Sequence, residues 1–300
     1  MTSATATDRP AAAVSTALAA LLLLAFAPRA IAQVDLAGEW GALNGVSEDQ
    51  PHRVPGATLG DYTGLPINDA ARLKARSWDA SVLSQPERQA QPHPAQYAVR
   101  GGGGPNLHIS KLLDAVTRQL LAFELCCFFG GYKRTIWMDG RHHPSDYAEH
   151  TWDGFSTGEW VGSALKVTTT HMKWGVIQRN GVPASPYATM VEFWTRHGNH
   201  LGVFQWVDDP IYLDEPMVRT TDWLANPGQN LANAVPVDTV DELGDKPLGW
   251  VPSWPMGTVH PDLAKQFDIP FEATQGGKAT IYPEYMRVIE QMRSGWKPAN

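Results

Sequence analysis

ATMVEFWTRHGNHLGVFQWV, residues 188 to 207, decides the fold class. Two runs rich in aromatic and β-branched residues flank His197-Gly198-Asn199, and each run has the length of a strand rather than a helix. Strands joined by so short a turn pair antiparallel. Working outward, the same texture recurs at Gln119 to Phe129, Arg134 to Met138, Ala164 to His171 and Met217 to Trp223, with shorter candidates at Asp35 to Trp40 and Asn106 to Ile109. Turn chemistry separates them at Asp114 to Arg118, Phe129-Gly130-Gly131, Asp139-Gly140 and Gly162-Ser163, and Asp139-Gly140 reads as a type I′ hairpin turn. A meander of at least about seven or eight strands loses both exposed edges by closing, so the expected fold is a mainly β, antiparallel barrel.

The flanking segments read differently. Arg9, the apolar run Ala11 to Ala27 and Ala30-Ile31-Ala32 match a cleavable secretory leader over residues 1–32, which predicts a periplasmic or secreted mature chain beginning at Gln33. Removing Arg9, Arg29 and Asp8 with the leader changes 24 basic and 31 acidic residues to 22 and 30, a formal charge of −8. An acidic chain is a poor nucleic-acid partner, and no later apolar run has the length for stable membrane insertion. The expected layout is a barrel over 33–225 with a helical and loop insertion at about 60–105, then an extension over 226–300 that wraps it. Asn68 is placed to cap a short helix reaching Trp78, and further helices are expected at Asp262 to Phe267 and Pro283 to Arg293. Residues 84–105, ending in Gly101 to Gly104, read as loop. Cys126 and Cys127 are the only cysteines; as strand neighbours they point to opposite faces, which predicts two buried thiols.

Two likenesses add to this. Gly38-Glu39-Trp40 resembles the G-x-W that opens lipocalin-type barrels, where the Trp plugs the closed end; the expected architecture is therefore a lipocalin-like barrel with a few short helices and long Pro/Gly-rich loops. Trp137-Met-Asp-Gly-Arg-His-His-Pro144, His150-Thr-Trp152, Gly154-Phe-Ser-Thr-Gly-Glu-Trp160, Leu165-Lys-Val-Thr-Thr-Thr170 and Val207-Asp-Asp-Pro210 resemble a family of secreted bacterial β-barrel proteins of unestablished activity. That resemblance implies export and a barrel, and no chemistry.

Chemistry is read from strand faces. On Leu165 to His171, period two puts His171 on the face of Leu165, Val167 and Thr169, either as a lumenal proton shuttle or as a core histidine bonded to its surroundings. On Ala188 to Arg196, Met190, Glu192, Trp194 and Arg196 share a face. If it lines the lumen, Glu192 beside indoles suits acid–base work; if it meets water, Glu192 and Arg196 are surface charges. His171 and Glu192 are thus the catalytic candidates, with Trp137, Trp160, Thr169, Trp194, Arg196, Trp206 and Arg219 expected to line a binding site. The loop Asp139 to Thr151 gathers Arg141, His142, His143, Asp146, Glu149 and His150. His143 and His150 are weak metal candidates there, and turn capping is the alternative. His197 and His200 straddle a turn, and Asp208-Asp209 ends a strand. Neither fits a fixed metal spacing, and no P-loop, H-E-x-x-H or dinucleotide-binding motif occurs. No cofactor is expected. The function that follows is a barrel binding a small, partly apolar molecule, either as a cofactor-independent lyase or isomerase or as a carrier without chemistry.

Overall fold

The computed structural model describes residues 34–42, 59–79, 92–98, 107–126, 133–178, 180–228, 245–247 and 250–295. The leader at residues 1–32, the Phe129-Gly130-Gly131 turn and Gly101 to Gly104 lie outside those residues.

Strand-length alternation sets the architecture. The strands are β1 (Gly38–Ala42), β2 (Leu107–Leu113), β3 (Leu120–Cys126), β4 (Arg134–Trp137), β5 (Phe155–Val161), β6 (Ala164–Thr170), β7 (Gly175–Val176), β8 (Pro183–Ala184), β9 (Thr189–His197), β10 (His200–Asp208) and β11 (Met217–Ala225). Nine of them close a barrel in the order β1-β11-β10-β9-β6-β5-β4-β3-β2, while β7 and β8 form a small hairpin of their own between β6 and β9. Burial alternates along β6, β9 and β10 with the period of two that the pleat requires, so one face of each strand fills the lumen. The mainly β closed barrel is therefore as the sequence predicts.

One neighbour pair departs from the meander. β4 and β5 run parallel, with Ile136 opposite Ser156 and Trp137 opposite Thr157. Parallel neighbours need a crossover, which residues 138–154 supply, so Asp139-Gly140 is not a hairpin turn. Asp139 instead accepts from the Arg141 guanidinium, Nε to Oδ1 at 2.9 Å. β5 itself escapes sequence reading because Ser156, Thr157 and Gly158 break its apolar texture.

Two apolar clusters fill the barrel. At the end holding the β5–β6 and β9–β10 hairpins, Trp40, Trp194 and Trp223 pack with Leu107, Phe123, Leu165 and Leu201. The Trp194 and Trp223 rings stack with centroids 6.1 Å apart. The opposite mouth is capped. There Met190, Val207 and Met217 from the wall join Tyr62, Ile67, Ala71, Ala75 and Ala95 from the segments before β2, and Met172, Ile177 and Val182 from the β6–β9 connection. The cap contains α1 (Asp69–Ala75), started as expected by Asn68, whose side chain accepts from the Ala71 amide at 3.0 Å, and the single turn α2 (Ala95–Ala98).

After the barrel come α3 (Asp262–Phe267), two 3₁₀ turns (Phe271–Gln275 and Gly277–Ile281) and α4 (Tyr285–Gly295). Residues of this stretch and of the chain just before it dock on residues 59–79: the Trp254 amide donates to Ser77 O at 2.8 Å, His260 Nε2 to Arg76 O at 2.8 Å, and Arg76 Nη2 to Gln275 Oε1 at 3.1 Å. Cys126 is disulfide-bonded and not a thiol; the sequence holds one other cysteine, Cys127. The expectation of two thiols is corrected, since adjacent cysteines can close an eight-membered ring when the local backbone admits it. Among the described residues no helix is long and apolar enough to cross a membrane.

Candidate functional site

Between the two apolar clusters lies a polar belt. Parity brings to the lumen Arg134 of β4, Ser156 of β5, Thr169 of β6, Glu192 of β9 and Gln205 of β10, each at most 2% exposed. Registry aligns them around the wall: Ser156 faces Thr169, Glu192 faces Gln205, and Gln205 faces Arg219.

Arg134 organises the belt. Its Nε donates to Ser156 Oγ at 3.1 Å, Nη1 to Glu192 Oε1 at 3.3 Å, and Nη2 to both Thr169 Oγ1 at 2.7 Å and Glu192 Oε2. This is a bidentate ion pair out of contact with water on both sides. Each charge would be costly to bury alone; the fork geometry and the two hydroxyls offset that cost. Ser156 Oγ and Thr169 Oγ1 bond each other at 2.9 Å.

A count of hydrogens shows what is left over. A guanidinium has five N–H groups, and four are used, leaving one on Nη1. Two hydroxyls share one mutual bond, leaving one O–H. Gln205 Nε2 reaches the thioether of Met190 at 3.0 Å, a weak acceptor, and Gln205 Oε1 has no partner. The second hydrogen of Gln205 Nε2 is also unused, so the belt presents three donors and one amide acceptor inside the buried lumen.

The expected site residues divide. Thr169 and Glu192 enter the belt, and Arg219 shares the inward parity of Met217, Thr221 and Trp223, with Nη2 3.8 Å from Met217 Sδ. Trp194 and Trp160 belong to the apolar end, Trp194 as core and Trp160 packed against it. Trp137 does not line the lumen: it faces outward, with the Arg141 guanidinium stacked 3.5 Å from its ring centre. Trp206 is likewise outward and 43% exposed, because the inward positions of β10 are Leu201, Val203, Gln205 and Val207. Arg196 sits beyond the apolar end, donating to Asp35 O and Gly198 O, with its guanidinium 5.0 Å from the Trp40 ring centre.

His171 is not on the lumenal face. β6 ends at Thr170, and His171 turns into the left-handed region at φ 57°, so strand parity stops one residue short of it. It belongs to a separate outer network under the crossover. His171 Nε2 meets Ser145 O at 2.9 Å, its Nδ1 meets Thr170 Oγ1 at 2.7 Å, His143 Nδ1 meets the same hydroxyl at 2.8 Å, and His143 Nε2 meets Thr157 Oγ1 at 2.8 Å. Because a carbonyl only accepts, the tautomers follow in order. His171 Nε2–H donates to Ser145 O, Thr170 O–H donates to His171 Nδ1, His143 Nδ1–H donates to Thr170, and Thr157 O–H donates to His143 Nε2. Each ring nitrogen of the two histidines then has a partner. Burial and the neighbouring His171 hold the His143 pKa below its ordinary value. His150 Nδ1 donates to Met172 O at 2.9 Å. His143 therefore ties the crossover to β5 and β6, and His150 ties it to Met172 beyond β6; among the described residues no group of His, Cys, Asp or Glu is arranged to hold a metal. Asp209 is also structural, accepting from Ser185 N and Oγ, both at 2.7 Å, and from Ile211 N at 3.0 Å. His200 pairs with Asp222 at 3.3 Å across the β10–β11 ladder.

Sequence reasoning missed Arg134, Ser156 and Gln205 as site residues. The signal for Gln205 lies in LGVFQWV, where it occupies an otherwise apolar parity. Arg134 shares the parity of Ile136, and Ser156 was hidden with β5.

Fold and site together define a closed, mainly β barrel with a buried ionic belt beneath a capped mouth. Comparison with family models, curated proteins and solved structures yields no match.

Proposed function

We propose that this chain is an exported small-molecule-binding barrel that takes a partly apolar ligand between the belt and the cap and holds it without covalent chemistry. The observation that carries this reading is the set of buried groups left without protein partners at the belt, Gln205 Oε1 above all. An unmet buried acceptor costs about 1–3 kcal/mol, and native proteins keep such groups where a guest or an ordered water completes them. The Met190 and Met217 side chains of the same mouth supply an adaptable apolar wall.

Binding is favoured over proton transfer because the two groups suited to acid–base work are committed elsewhere. Glu192 is held by Arg134, and both ring nitrogens of His171 are engaged outside the lumen. The G-x-W likeness supports a carrier of lipocalin type: Trp40 is 1% exposed at the end away from the cap. Export is supported by the leader pattern and by the disulfide at Cys126, a bond that persists in oxidising compartments.

Native mass spectrometry of the mature protein, purified gently from the periplasm of its own host, tests the reading. A retained organic mass is expected in the wild type and a reduced fraction in Gln205→Leu. A wild type that is empty in every preparation, with Gln205→Leu at least as thermostable, would overturn it.

A further inference from the structure

The cap carries a second unmet group. In the turn before β2, His93, Pro94, Ala95, Gln96 and Tyr97 are buried one after another, and Gln96 is 0% exposed. Five consecutive buried residues in a one-turn segment place it inside the protein rather than on it. The turn is pinned on several sides: the Ala95 amide donates to Trp152 O at 3.0 Å, Pro94 lies where a Cβ on Gly175 would stand, within 2.6 Å, and the His93 and Tyr97 rings stack at 3.8 Å. Ala95 packs in the same apolar cluster as Met190, Val207 and Met217 of the barrel mouth.

Within this rigid setting neither Nε2 nor Oε1 of Gln96 has a hydrogen-bond partner. Burying a whole primary amide unpaired costs more than burying one unmet atom. A Gln side chain presents a donor and an acceptor side by side in one plane. Its complement is a group with an acceptor and a donor in the same cis arrangement, which can form two parallel hydrogen bonds with it. Primary amides and lactams have that arrangement and carry no charge, which suits a side chain 0% exposed.

We propose that Gln96 is a ligand-binding residue of the cap, and that the ligand class is a partly apolar molecule bearing a primary amide or lactam, held by paired hydrogen bonds to the Gln96 side chain. This rests on the binding reading above and narrows its ligand. The belt would meet the other polar features of the same molecule, and Met190 and Met217 its apolar body.

The test uses benzamide as probe, and N,N-dimethylbenzamide, which lacks the donor, as control. Both are titrated calorimetrically into the full mature protein and into Gln96→Leu and Gln96→Met. Two hydrogen bonds of ordinary net strength predict that the wild type prefers benzamide by roughly tenfold or more. Gln96→Leu is expected to lose that preference while melting at or above the wild-type temperature. Gln96→Met keeps the length of the side chain without its amide and serves if the leucine variant does not fold; it is expected to lose the preference as well. Equal affinity of the two probes, binding of neither at millimolar concentration, or an unchanged preference in both variants overturns the inference. The binding reading has its own readout: a host-derived mass that lacks an amide or lactam, or that Gln96→Leu retains fully, sinks this inference and leaves that reading standing, whereas an empty protein sinks the reading itself.

Discussion

Replacing Glu192 by leucine isolates the energetics of the belt. The guanidinium of Arg134 would keep its bonds to Ser156 and Thr169 and lose both to the carboxylate, remaining a 0% exposed cation with no counter-ion. Removing one partner of such a pair costs roughly 3–5 kcal/mol, because the remaining charge cannot reach water. At roughly 2–4 °C per kcal/mol for a chain of this size, the melting temperature should fall by about 6–20 °C. Arg134→Met alone should cost a similar amount, by stranding Glu192. The double variant Arg134→Met with Glu192→Leu removes both charges of the pair, and Ser156 and Thr169 still bond each other at 2.9 Å. It should lie within about 2 kcal/mol of the wild type, so the double-mutant cycle is strongly non-additive. Urea unfolding followed by tryptophan fluorescence, with circular dichroism to check the fold, measures all four proteins. Single variants that each cost under about 1 kcal/mol would show that water reaches the pair, and additive losses would show that the two groups act independently; either result refutes the reasoning.

The histidine chain under the crossover predicts a pH dependence. His143 titrates below its ordinary value in the folded protein because of burial and the nearby His171, so the unfolded chain takes up the proton first. The stability it contributes is complete above the ordinary histidine pKa and is lost as pH falls through that value towards the folded one. Melting temperature should therefore drop more steeply between about pH 7 and pH 5 in the wild type than in His143→Gln, and equal slopes would remove His143 from the account. Packing in the cap is testable at Gly181, which has φ 85° and a position where a Cβ would stand 2.2 Å from Trp78 Cβ. Gly181→Ala should destabilise by at least about 2 kcal/mol in a denaturant titration, since both the backbone conformation and the contact must yield; a loss under about 0.5 kcal/mol would show that the β7–β8 hairpin and α1 do not pack as described.

Period-two alternation alone reveals the strands of residues 188–207, because aromatic and β-branched residues on one face cannot be buried by any other local structure so short. Closure into a barrel follows from the number of such strands and the need to hide sheet edges. The Asn68 cap and the helix at Asp262 are equally local, resting on the chemistry of adjacent residues. Glu192 was identifiable as a residue of interest, but not its face. That choice is made by the register of β9 against β6 and β10, which puts Met190, Glu192 and Trp194 inward together. Arg134 comes to Glu192 from 58 positions away in the chain, and no local pattern encodes a contact of that kind. The parallel placement of β5 was also out of reach, because Asp139-Gly140 favours a turn wherever it occurs and cannot report whether the strand that follows comes back alongside or crosses over. His171 shows the limit of periodicity most directly: a single left-handed residue at the strand end moves its ring from the expected lumenal face to the outer network. Residue chemistry within a few positions is written in the chain; which charges meet, and which are left without partners, is decided only when the barrel closes and water is excluded from its lumen.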